Sequence, residues 1–109
     1  MTKLQVIQLI GVVIRQIDNV IDDLPPGDPN QQRLQQQRDA LDDQQRRLAI
    51  EVFNENDAAF QNATQQLQAA NAGIQASLDR LDNIENTIAT ITQFVTSVTS
   101  LLTTVGALV

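Results

Sequence analysis

Apolar residues recur along this chain at alternating steps of three and four, the spacing that gathers side chains onto one face of packed helices. In the first segment, residues 3–24, they are Ile7, Ile10, Ile14, Ile17, Ile21 and Leu24. Val6, Val13 and Val20 stand one position ahead of Ile7, Ile14 and Ile21, so the stripe fills the a, d and g positions of a heptad. A stripe that wide suits a helix touching two neighbours. The segment stops at "LPPGDPN", residues 24–30, which holds all 3 prolines and one of the 4 glycines. Proline lacks the N–H that a helix interior needs, and its ring clashes with the preceding turn. The same loop starts a second helix. Asp28 is placed to accept its first free N–H groups, and Pro29 takes the first helical position, where a missing donor costs nothing.

That second helix is predicted over residues 29–54. Its apolar content is thin: Leu34, Leu41 and Leu48 every seven residues, then Val52 and Phe53, with Gln and Arg between. Asp42 with Arg46 and Asp43 with Arg47 stand four apart in the favourable order, each pair worth about 0.3 kcal/mol. Paired charges of this kind describe a solvated face. From Phe60 the heptad returns as Phe60, Ala63, Leu67, Ala70, Ile74, Ser77, Leu81, Ile84, Ile88, Ile91, Val95, Val98, Leu102, Val105 and Val109. It is out of phase with Leu34, Leu41 and Leu48. The pattern therefore predicts a break at "NEND", residues 54–57, with Asn56 or Asp57 as cap. One long third helix, residues 57–108, follows from the unbroken register. "NAG", residues 71–73, is the other candidate break, since Gly inside a helix costs about 1 kcal/mol relative to Ala. The fold class is all-α: a small three-helix bundle or coiled-coil hairpin with a long C-terminal helix, in a single domain.

The closing stretch "NTIATITQFVTSVTSLLTTVGALV", residues 86–109, carries no charge, although 7 basic and 13 acidic residues precede it. Ile88, Val95, Leu102 and Val109 take a, Ile91, Val98 and Val105 take d, and Phe94, Leu101 and Leu108 take g, repeating the pattern of the first helix. The expectation is that these two stripes bury each other, with the second helix closing the third side. Ile, Val and Thr have low intrinsic helicity, so helix here must come from packing. Asp in place of Val95 would bury an unpaired charge and disassemble the bundle. The same uncharged stretch raises a membrane reading, because about 20 residues cross the hydrocarbon. Against it, no Lys or Arg follows to anchor the far end. A third reading is conditional insertion after rearrangement.

Composition narrows the function. A net charge of −6 disfavours nucleic acid, whose phosphates are bound by Lys and Arg. Without His or Cys, the usual nucleophile–base pairs and thiolate metal sites cannot be assembled. Neither Asp79, Asp82 and Glu85 nor Asp22, Asp23 and Asp28 has the alternating carboxylates and central glycine of a calcium loop. "NAT", residues 62–64, fits a glycosylation sequon but falls inside a predicted helix. "MTKLQVIQLIGVVIR" lacks a small-residue cleavage site, so a soluble cytoplasmic protein is expected, or one secreted without a cleavable signal peptide, with membrane association open. The expected function is a non-enzymatic interaction or oligomerisation module, with no cofactor, metal or small-molecule substrate. Its partner is another protein or a second copy. The residues expected to form its core and interaction stripe are Ile7, Ile10, Ile14, Ile17, Ile21, Ile88, Ile91, Phe94, Val95, Val98, Leu101 and Leu102. The alternative is a membrane-active helical protein that uses its uncharged C-terminal helix.

Overall fold

The computed structural model describes residues 1–79 and 83–105, the side chains of Thr104 and Val105 excepted. Its helices are α1 Lys3–Asp23, α2 Pro29–Ile50, α3 Ala58–Leu78 and α4 Ile84–Ser100, the last continuing as a π-helical turn, Leu101–Val105. The all-α bundle read from the sequence is the architecture observed.

Each helix end has a local cause. Thr2 opens α1 with a capping box: its hydroxyl accepts from the Gln5 N–H (3.2 Å), and its own N–H donates to Gln5 Oε1 (2.9 Å). Between α1 and α2, the Asp28 N–H donates to the Pro25 carbonyl at 3.1 Å, and Gly27 has φ +82°. With Pro26 and Gly27 at its centre this is the type II turn, whose third residue needs the left-handed region open to glycine. Asp28 then caps α2 through the Asn30 N–H (2.8 Å), with Pro29 at the first helical position. Helix α2 ends at Ile50, short of the predicted residue 54. Lys3 Nζ reaches over to donate to the carbonyls of Ala49 (3.3 Å) and Glu51 (2.9 Å), two of the acceptors a helix end leaves free. Beyond it Val52 is exposed, while Phe53 packs on Phe60 with ring centroids 5.5 Å apart. Asp57 caps α3 through the Ala59 N–H (2.9 Å), at the predicted break.

The predicted long third helix is two helices. The chain turns after Leu78 rather than at Gly73, and α4 restarts under Asn83, whose side chain accepts from the Asn86 N–H at 3.1 Å. Leu81, Leu108 and Val109 of the expected stripe lie outside the described residues, as does Asp82. The physical reason is length. Helices α1 and α2 have 21 and 22 residues, and could cover only about half of a helix running from 57 to 108 at 1.5 Å per residue. Folding back gives Ile88, Ile91, Phe94 and Val98 a core to enter. The heptad register cannot report such a turn, because it keeps the same phase on both sides.

The four helices stack as two antiparallel hairpins. Helix α1 lies against α2, α3 against α4, and α2 against α4. Helix α1 joins α3 through side chains: Gln16 and Gln75 exchange two amide bonds (3.1 and 3.0 Å), and the Met1 ammonium donates to Gln61 Oε1 at 3.4 Å. Helices α1 and α4 therefore face each other diagonally. Their stripes meet across one shared core, and the sides are closed by both α2 and α3 rather than by α2 alone. That core contains Val6, Ile10, Val13, Ile17, Leu34, Leu41, Leu48, Phe60, Leu67, Ile74, Ile91, Phe94, Val98 and Leu101, all essentially inaccessible to water. On α1 the buried face centres on the valines with Ile10 and Ile17, while Ile7 and Ile21 are half-buried at its edge.

Two substitutions test this packing. Ile91→Asp places a charge where no water reaches, and denaturant titration by circular dichroism should find it unfolded, since such burial costs more than the 5–15 kcal/mol typical of a domain can readily absorb. Val95, half-buried, lets an Asp reach solvent, so Val95→Asp should stay folded with a loss of about 1–3 kcal/mol. Gly73→Ala should raise stability by about 1 kcal/mol, because the added Cβ would sit 3.6 Å from Thr90 Cγ2, an ordinary contact. A lowered urea midpoint would mean that α3 and α4 approach more closely than this.

Candidate interaction surface

The residues singled out from the sequence face inward. Ile10, Ile14, Ile17, Ile88, Ile91, Phe94, Val98, Leu101 and Leu102 are buried, and Ile7, Ile21 and Val95 are half-buried against them. The side chains open to the surroundings of the folded bundle are a different set. Among the described residues the large apolar side chains left exposed are Leu4, Val12, Ile50 and Val52, and three of these flank the Lys3 clamp on the end of α2.

Charge is distributed very unevenly over the outside. No charged residue occurs between Asp57 and Asp79, and none follows Glu85. Helices α1 and α2 carry most of the rest and pair some of it internally: Arg38 with Asp18 at 3.0 Å and Arg46 with Asp42 at 2.7 Å. Asp43 and Arg47, equally spaced in sequence, form no ion pair with each other. The outer surface of the α3–α4 hairpin instead exposes Gln66, Ala69, Ala76, Asn86, Gln93 and Thr96. Two shallow grooves follow its seam, about 490 Å³ beside Ala70 and Ser97 and about 520 Å³ beside Gly73 and Asn86.

The hydroxyl-rich sequence of α4 is less water-seeking than it reads. Thr92, Ser97, Thr99 and Thr103 each donate to the carbonyl four residues back, at 2.9 to 3.0 Å. Their protons are spent within the helix. At these four positions what is left for water is carbon and acceptor lone pairs, cheaper to strip of water than charges.

This has a consequence on the side facing α2. Gln44 Nε2 donates to Thr99 Oγ1 at 2.7 Å, and Gln37 Nε2 donates to Thr92 Oγ1. With both hydroxyl protons committed to Val95 and Ile88 carbonyls, the amides must act as donors. Each glutamine Oε1 is left buried without a partner. In the sequence these glutamines only fill the positions between the leucines, since nothing in a one-dimensional pattern tells which helix will lie opposite. Among the described residues no three carboxylates come together in a way that could hold a metal ion.

Replacing Gln44 by Met removes one unpartnered acceptor together with one hydrogen bond. Because the first costs about 1–3 kcal/mol and the second contributes about 1, Gln44→Met should match or exceed the parent stability in a urea titration. A loss beyond 1 kcal/mol would show that the amide is fully satisfied. Compared with known proteins, the chain matches no family model, no curated protein and no solved structure significantly, so its function must be argued from this surface.

Proposed function

We propose that the chain is a non-enzymatic helical interaction module that docks through the charge-free outer face of the α3–α4 hairpin. The observation that carries this reading is the partition of charge: an acidic chain of net charge −6 leaves one of its two hairpins almost bare of charged side chains. Solvated helical faces are ordinarily rich in Lys, Glu, Arg and Asp, whereas the centres of protein interfaces are depleted in them. The a/d/g stripes hold the module together, and the outer face is what remains to meet a partner.

The membrane reading draws on a different helix from the one the sequence pointed to. Among the described residues α1 is the helix long and apolar enough to cross a bilayer, with mean hydropathy 1.4. Most of its apolar positions, Leu4 and Val12 excepted, are packed in the core, so insertion requires the bundle to open first.

Gel filtration of a fresh extract of the cells that make the protein, followed by immunodetection, separates these readings. An interaction module elutes well above its own 12.0 kDa. Recovery in the membrane pellet would favour insertion. Elution as a free 12.0 kDa chain from extract, and as a monomer when pure, would sink the proposal.

A further inference from the structure

We infer that the occupant of the α3–α4 face is a second copy of this chain, with a twofold axis setting the two α3–α4 hairpins antiparallel. The inference rests on the docking reading above and names its partner.

The first argument is electrostatic. Two copies each carrying −6 repel, and most ways of bringing them together set acidic surface on acidic surface. The α3–α4 face is where the repulsion is least, since neither residues 58–78 nor residues 86–109 contain a charge. A partner of opposite sign would gain nothing there, because attraction and steering come from the acidic α1–α2 side.

The second argument is chemical. A twofold contact sets the same patch against itself. A patch built on carboxylates or ammonium groups cannot hydrogen-bond to its own copy, because it holds acceptors alone or donors alone. Glutamine and asparagine amides hold both. Gln66, Asn86 and Gln93 are exposed on this face, and between them Ala69 and Ala76 are short enough to let another helix come near.

Orientation follows from the charges the hairpin does keep. Asp79 and Glu85 sit where α3 turns into α4, with Arg80 and Asp82 between them in sequence and Glu85 paired to Arg33, which leaves this end of the hairpin net negative. A parallel pairing would bring each turn beside its copy. An antiparallel pairing puts the turns at opposite ends, about 30 Å apart for a helix of this length and well beyond the screening length of about 8 Å. Two helices of this length present a face of about 600 Å² per copy, somewhat less than the roughly 800 Å² of a standard interface. A dissociation constant in the micromolar range is expected.

The absence of cysteine makes the test clean. Sedimentation equilibrium of the purified chain from 5 to about 500 µM should show a rise from 12.0 kDa to twice that mass, held or strengthened by added salt, which screens the repulsion between two acidic chains. Under mild oxidation Gln93→Cys, near the middle of the face, should cross-link to its copy. Asn86→Cys at the turn and Gln8→Cys on the outside of α1 should not. The double variant Ala69→Glu/Gln93→Glu should weaken the dimer at least tenfold, while its melting curve stays that of the parent at a dilution where both are monomers. A monomer throughout overturns the inference, as does a dimer indifferent to the two glutamates or one that cross-links best at Asn86→Cys or Gln8→Cys. A pure monomer that nonetheless runs large in cell extract rejects the second copy and leaves the docking reading standing.

Discussion

Val6, Ile10, Val13 and Ile17 on α1 and Ile88, Ile91, Phe94 and Val98 on α4 are helical because they are buried together. β-Branched residues lose rotamer freedom in a helix and contribute little to its formation alone. Both segments are held helical by the shared apolar core, and everything else in the bundle is arranged to close that core. Helices α2 and α3 have the complementary character. Their buried apolar residues recur only every seventh position, Leu34, Leu41, Leu48 and Phe60, Leu67, Ile74. The wide-stripe helices take one diagonal of the bundle and the narrow-stripe helices the other, so each wide stripe meets two neighbours and fills the centre. Placing α1 beside α4 would leave α2 beside α3, with too few apolar side chains to close their side.

Polar pairs then set how the hairpins lie on one another. Gln37 meets Thr92 and Gln44 meets Thr99, both spaced by one heptad, and Arg33 reaches Glu85 at 2.9 Å. A slip of seven residues would leave a single amide–hydroxyl match. Both form together in only one register. The exposed Arg33–Glu85 pair adds little energy, and the buried amides are weaker partners than apolar side chains would be, given their orphaned oxygens. Such groups trade some stability for a unique arrangement, a role best attested for buried polar residues in coiled coils. On the opposite side, Gln16 and Gln75 form the matching bridge between α1 and α3.

The same economy of charge shapes the exterior. Most ion pairs and carboxylates gather on α1, α2 and the segment leading to α3, while the α3–α4 hairpin keeps its charges near its turn and otherwise relies on amides, alanines and hydroxyls, several of them bonded to their own helix. The two halves of the molecule thus meet water differently. One repels other acidic surfaces, and the other can be desolvated at low cost.

Most of the class and much of the punctuation were legible along the chain. The apolar periodicity of three and four specified helices, "LPPGDPN" and "NEND" specified turns, and Asp28, Pro29 and Asp57 specified helix starts, because caps and prolines act through backbone atoms two or three residues away. The turn after Leu78 was hidden, since the apolar stripe keeps its phase across it and only the finite length of α1 and α2 forbids a straight helix. Nor could the pattern tell which stripes would be neighbours: a heptad reports that a face is buried and is silent about what covers it. The diagonal placement of α1 and α4, the glutamine–threonine seam and the charge-free outer face arose only when helices distant in sequence were packed side by side. Those contacts depend on the volume and reach of side chains in three dimensions, which the order of residues along a line does not contain.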